Sequence, residues 1–569
     1  VTETGSIPQH QRAIHALNRL GFGPRPGELK RVQQIGYERY IEEQLNPDSI
    51  PISRELADRV AAYSTLQMSP LALFIEYWRP VMEAQREYRQ LGKSAGRGAG
   101  KNNPGKQAVR KARIRARVVA SEAVQARLLR AIEGPRQLQE VMTAFWFNHF
   151  NVFAGKGLDL IWTGSFEQTA IRPHTMGKFR TLLGATARHP AMLFYLDNWR
   201  NTAPGSPGAR KNFDGINENY ARELMELHTL GVNGGYTQHD VIALAHILTG
   251  WGLPPGREER AQMREQMTSA EGAGGFGRFR RLRRRAGENP GGVASIDPSG
   301  FYFDASRHDF QSKTFLGHTI AGAGLSEGEH ALDILARSPA TARHLSYQLA
   351  QYFIADNPPP ALVDRMAARY TASDGEIRAV LETMFSSGEF WERRHYRAKF
   401  KTPYEFVISS VRATGAPVRN FRPLYGAVAL LGMPLYGCQT PNGYANTLEA
   451  WLNPDAMMMR VSFATALGTG HLPLEHPPFE ENAGGAAMTM PAAPTREPKL
   501  FGKRGANPRI GIDTAAAEGR VPEMVPTDAV ALANTIGQGL APATASAVEQ
   551  ANPALRASLI LGSPDFMMR

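Results

Sequence analysis

The sequence predicts an all-α protein, a multi-helix orthogonal bundle with one small β-hairpin and long surface loops. Apolar residues recur three and four apart along most of the chain, and Gly and Pro stand at the ends of those segments. Alternation of apolar and polar residues, the mark of a strand, is confined to 300–320. With 42% apolar residues in 569, the chain can form about two to four packed units at roughly 100–200 residues each.

Taken in order, 1–134 reads as an N-terminal helical region, with helices over 27–45, 70–90 and 106–132 and a basic Gly-rich insertion at 85–117. A central helical region, 135–320, carries helices at 135–151, 165–187, 190–196, 217–230 and 237–249. It closes with "GFYFDASRHD" and "KTFLGHTI", read as the two arms of the hairpin. The region 321–473 has the spacing of seven helices, at 326–335, 339–354, 359–371, 374–386, 403–414, 421–431 and 455–467. Residues 474–525 are Pro/Gly/Ala-rich without periodicity, an extended linker to a C-terminal helical unit, 526–569, with helices at 526–537 and 541–550. "AVLETMFSSGEFWERR" and "ASLILGSPDFMMR" echo one another, each a helix running into a small-residue turn and an anchoring Phe390 or Phe566.

The formal charge of +12 raises anionic partners. Much of it lies in 85–117 and 256–292, whose Gly content and scarce aliphatics read as loops. Only Tyr88, Phe276 and Phe279 interleave aromatics with these cations, so an anionic polymer or protein partner is a better expectation than nucleic acid. Cys438 is the single cysteine, which rules out an intrachain disulfide and a CxxC knuckle. No apolar run reaches the roughly 18 residues of a membrane span. Opening on Val1 rather than Met is what removal of a leader would leave. GxSxG, GxxxxGK[ST] and HExxH are all absent, as is a dinucleotide glycine fingerprint.

The chemistry-bearing stretch is "NENYARELMELHTLGVNGGYT", 217–237. Asn217 or Asn219 can cap its helix and Gly231 can end it in the left-handed conformation. At about 100° per residue, Glu218, Arg222, Glu223 and Glu226 share an arc of roughly 140°. Glu218 and Glu226 each stand four residues from Arg222, the spacing of surface ion pairs. Glu223 and Glu226, three apart, have instead the spacing by which bundles present carboxylates to a metal. His228 points elsewhere, so other elements must supply imidazoles: His149 in "FWFNHFN", His174 in "IRPHTMGKFR", His189, or His308 beside Asp309. Carboxylate and imidazole together suit zinc, manganese or iron. "KFKTPYEF" and "GYANTLEAWLNP" read mainly as packing and hydrogen-bond anchors.

These motifs, with "HALNRLGFGPRPGEL", "LTGW" and "RHDFQSKTFLG", occur in an order that resembles a large bacterial family of unknown function, DUF1800, from about residue 10 to the C-terminus. The resemblance implies a mostly helical, typically exported protein, periplasmic or secreted, and no general activity. The two basic blocks look like insertions relative to that family's usual pattern. Two functional expectations follow. In the first, a metal-dependent enzyme, a hydrolase in preference to an oxidoreductase, holds its ion through His149, Glu223 and Glu226 with His174 or His308. A spare carboxylate among Glu218, Glu223 and Glu226 then serves as base, and Arg222 steadies developing negative charge. In the second, a non-catalytic exported binding or assembly protein engages an anionic polymer or a protein partner through its basic loops.

Overall fold

Helices make up most of the computed structural model, which describes residues 5–94, 104–209, 214–254, 299–475, 525–537 and 539–569. The all-α expectation matches this architecture. Five helices position the site: α1 (Pro104–Glu133), α2 (Gln137–His149), α3 (Asn219–Glu226), α4 (Pro339–Phe353) and α5 (Pro403–Thr414). α1, 30 residues and about 45 Å long, buries Ala116, Val119, Ala120, Ala123 and Val124. Small side chains there let the helix Asp159–Ser165 approach closely: a Cβ on Gly164 would stand 2.5 Å from that of Ala123.

Several boundaries differ from the periodicity. The expected helix 27–45 breaks at Gly36 into Glu28–Ile35 and Tyr37–Leu45. The stretch 165–187 becomes a π-helical turn, Phe166–Ile171, a 3₁₀ turn, Arg172–His174, and the helix Phe179–Arg188, with Pro173 interrupting the run. Helices Gln9–Leu20 and Arg54–Ala61 are added, and the helix expected ahead of Phe566 spans Pro553–Leu561. The insertion at 85–117 is largely not loop: Arg79–Ser94 and the first turns of α1 are helical on either side of 95–103, which lies outside the described residues. Ala, Gln, Lys and Arg are strong helix formers, and that outweighs the charge and scattered Gly. The second basic block, 256–292, and 476–524 of the expected linker also lie outside the described residues.

The expected hairpin is two separate ribbons. Its first arm, β2 (Tyr302–Phe303), pairs antiparallel with β1 (Trp251–Gly252), far back in the sequence. β3 (Lys313–Phe315) pairs with β4 (His318–Ile320). The tight turn of this second ribbon has positive φ at both central residues, 48° at Leu316 and 77° at Gly317. Alternation marked the stretch holding β2, β3 and β4 but not β1, and it carries no information on which distant strand completes a pair.

One continuous cluster of buried apolar residues runs from Ile7 to Met567 and draws on every helical region outlined from the sequence. The two ends meet on one segment: Ile7 N–H donates to the Trp391 carbonyl (2.7 Å) and Lys401 N–H to that of Met567 (2.9 Å). The echoing segments are one structural device used twice. Ser387 Oγ accepts from Phe390 N–H and Ser563 Oγ from Phe566 N–H, both at 3.2 Å, and each turn buries its Phe. No helix among the described residues is long and apolar enough to cross a membrane.

Candidate functional site

The stretch "NENYARELMELH" divides into a wet face and a buried end. Glu218, Arg222 and Gln238 form a closed surface triad: Arg222 Nη2 donates to Glu218 Oε2 (3.0 Å) and Gln238 Oε1 (2.9 Å), and Gln238 Nε2 donates to Glu218 Oε2 (2.7 Å). Side-chain exposures of 39% and 33% make the Arg222–Glu218 bridge an ordinary i,i+4 pair. Glu226 accepts from Tyr236 Oη at 3.2 Å. Burial raises the pKa of the half-buried Glu223 above the usual carboxylate range; the Glu226 charge adds to this and Arg222 opposes it. Asn217 Oδ1 takes the Asn219 N–H (3.0 Å), and Gly231, with φ at 83°, turns the chain back after the helix.

That turn places Leu227 and His228 against the end of α2. His149, the last residue of α2, lies in an aromatic box, stacked on Phe145 and edge-on to Trp146 and Phe150. Its Nε2–H donates to the His228 carbonyl at 3.1 Å, which leaves Nδ1 as the basic nitrogen. Desolvation, then the neighbouring His344, lowers its pKa to about 3, so the ring is neutral at ordinary pH. The His149 ring centroid is 6.0 Å from that of His228 and 6.5 Å from that of His344.

His344 was not singled out from the sequence. It stands on α4 one turn before Gln348, in "RHLSYQLAQYF". Burial lowers its pKa, opposed by a hydrogen bond to the Leu227 backbone. Its Nε2 is buried without a hydrogen-bond partner, as is Gln348 Oε1. The backbone bond therefore belongs to Nδ1, and Nε2 is the unprotonated nitrogen.

His149, His344, Gln348 and Glu226 line a cavity of about 290 Å³. Across it stand Arg127, Tyr352, Glu405, Tyr436 and Tyr444, from α1, α4, α5 and the loop beyond Met433. Arg127 lies about 5 Å over the rings of Phe147, Tyr404 and Tyr436 and pairs with Glu167 at 3.1 Å. Glu167 also receives Arg172 (3.2 Å), which binds Glu140 (2.6 Å). Glu405 Oε1 accepts from Arg569 and from Tyr352 Oη, both at 2.9 Å, and Oε2 closes a capping box with Thr402. Burial acts to raise the Glu405 pKa, but Arg569 and these hydrogen bonds outweigh it and hold the carboxyl ionised. Glu405 and Tyr444, expected as anchors, are thus also cavity wall.

The other histidines expected as metal ligands lie apart from this cavity. His174 is half-buried on the 3₁₀ turn after Phe166–Ile171 and does not line it. His308 is enclosed with both ring nitrogens engaged, Nδ1 by the Thr249 carbonyl (2.7 Å) and Nε2 by Glu327 Oε1 (2.8 Å). Lys313 completes that cluster on Glu327 Oε2 at 2.6 Å, so no lone pair of His308 is left for an ion. His189 caps Pro190–Tyr195 by accepting the Ala191 N–H. Among the described residues, no group of three or more His, Cys, Asp or Glu side chains is arranged to hold a metal.

A helical protein with one continuous core and a half-enclosed cavity of neutral imidazoles, carboxylates and aromatic rings is the class that fold and site define. The family model described as "Protein of unknown function (DUF1800)" matches residues 15–568, and the chain belongs to that family. No curated protein and no solved structure matches it.

Proposed function

We propose that the chain is an enzyme of hydrolytic type whose site is the α2/α3/α4 cavity, with His344, His149 and Glu226 as its working groups. The observation that supports this reading is the pair of imidazoles, each tied through one nitrogen to a backbone carbonyl and holding the other unprotonated at the same cavity. His344 is the candidate base, a neutral imidazole with an unprotonated nitrogen facing the cavity that can take a proton from water or a substrate hydroxyl, while His149, its pKa lowered to about 3, is too weak a base for that role and positions the site. Glu226, on the same cavity, is placed to receive or return that proton. Of the groups expected from the sequence, Glu226 and His149 stay in this proposal, Glu223 supports Glu226 from the same helix, and Glu218 and Arg222 become its outer brace.

One observation favours a metal-assisted version. Imidazoles that donate one N–H to a backbone carbonyl and keep the other nitrogen bare are oriented as metal ligands usually are. His149 and His344 would be two of the donors for a zinc, manganese or iron ion that activates water, with solvent or substrate completing the shell, since no third His, Cys, Asp or Glu among the described residues is arranged with them to hold an ion.

A panel of ester, amide and glycoside substrates turned over by the wild type and by His344→Gln and Glu226→Gln tests the proposal, with metal content measured on the same preparations. Turnover that falls about 100-fold or more in either variant supports it. About one ion per chain, lost in His149→Gln/His344→Gln, selects the metal version. Turnover equal in all variants removes the assignment, and no turnover with capture of an anionic polymer by the basic segments favours the non-catalytic reading. We further propose that the protein works outside the cytoplasm, which fractionation of the source cells tests directly.

A further inference from the structure

The polar atoms that the cavity leaves unpaired are acceptors. Gln348 Oε1, beside the His149 ring, and His344 Nε2 are both buried without a hydrogen bond of normal geometry, one helical turn apart on the same face of α4. A buried acceptor without a donor is destabilising, so this wall suits a ligand that brings O–H or N–H groups. The cation facing it is already matched, and Glu226 adds a carboxylate with no paired cation among the described residues. Arg127 is neutralised by Glu167 inside an aromatic box, and Glu405 by Arg569. An anionic ligand would lose its hydration against that wall, meet no unmatched cation and be repelled by Glu226. The remaining surface is aromatic, with Phe145, Tyr352 and Tyr444 offering ring faces or edges to an apolar flank. At about 290 Å³ the space is near the lower end for small-molecule pockets.

Donor-rich, uncharged, compact and with an apolar face is the description of a sugar ring. We propose that the cavity takes a neutral polyhydroxylated ligand, a glycosyl unit, with hydroxyls donating to Gln348 Oε1 and His344 Nε2. This rests on the cavity being the working site but not on its being catalytic.

Titration calorimetry of the whole chain with glucose, N-acetylglucosamine and cellobiose, and with the anionic analogue glucuronate, tests it. The expected result is binding of at least one neutral sugar, about tenfold or more tighter than glucuronate. Gln348→Leu is expected to weaken that binding about five- to tenfold, the worth of one neutral hydrogen bond. Tyr444→Ala, which removes a ring rather than an acceptor, is expected to weaken it independently and serves if Gln348→Leu does not fold. Equal or tighter binding of glucuronate overturns the proposal. So does binding unchanged in folded variants, or no neutral sugar bound by the folded wild type at tens of millimolar. Sugar binding without turnover leaves this inference standing and removes the hydrolytic one; turnover of a substrate that carries no sugar does the reverse.

Discussion

The imidazole of His344 rests directly on Gly231: a Cβ added there would stand 2.8 Å from His344 Nδ1. Gly231 also has φ at 83°, a conformation side chains rarely adopt. Two independent constraints therefore meet at the residue that ends the acidic stretch and delivers Leu227 to His344. Gly231→Ala should cost about 1–3 kcal/mol of unfolding free energy in urea. Gly235→Ala, whose φ is 80° but whose Cβ would meet nothing within 4 Å, should cost less. Equal losses in the two variants would show that backbone strain alone matters and that the His344 contact is incidental.

Burial of neutral imidazoles sets a pH dependence of stability. Desolvation brings both His149 and His189 down to about 3 in the fold, whereas in the unfolded chain they titrate near 6.5. Between those values the unfolded state binds more protons. Stability is therefore undiminished by these groups above about pH 6.5 and falls as pH drops towards 3, by up to ~1.4 kcal/mol per pH unit for each. Urea unfolding at several pH values between 7.5 and 5 should show a shallower slope for His149→Gln than for wild type. An identical slope in a folded variant would mean that His149 is solvated, contrary to its position in the aromatic box.

How much of this was legible in the sequence differs from residue to residue. His149 and Glu226 could be found because each sits in a dense local motif, "FWFNHFN" and "ARELMELH". His344 and Gln348 could not, since two polar residues four apart on an apolar helix read as one more partly wet face; their role comes from packing α4 against the ends of α2 and α3. The spacing of Glu218, Arg222 and Glu226 left two pairings of Arg222 open. Gln238, sixteen residues further on, joins Glu218 and Arg222 in one triad, a tertiary contact that helical spacing does not encode. Helix identity was accessible through periodicity, but strand partners were not, because β2 pairs with residues some fifty positions back.

The charge chain behind the cavity should be unforgiving. Buried Arg127 and Arg172 meet at Glu167, which also accepts from Tyr436 Oη at 2.9 Å, and Arg172 reaches on to Glu140. Glu167→Gln keeps the shape but leaves two guanidinium groups short of one charge. By the cost of breaking a buried pair, the loss should be about 3–5 kcal/mol, read from chemical denaturation. Glu218→Gln, which removes a partly exposed carboxylate from Arg222, should lose no more than about 1 kcal/mol by the same measurement. A loss under 1 kcal/mol for Glu167→Gln would place water in the cluster.

The carboxylate pair on α3 offers a check that needs no substrate. Glu223 titrates above the usual range because it is partly desolvated and because Glu226 repels its ionised form, with Arg222 pulling the other way. Each contribution can be removed separately. In a carbon-13 NMR titration of the glutamate side chains, Glu226→Gln should lower the Glu223 midpoint and Arg222→Ala should raise it, while desolvation keeps the first variant from returning fully to the value of an exposed glutamate. If neither substitution moves the midpoint, the two carboxylates do not sense each other, and Glu223 has no part in setting the charge of Glu226 at the cavity. If only Arg222→Ala moves it, the surface triad alone controls Glu223, and Glu226 acts alone.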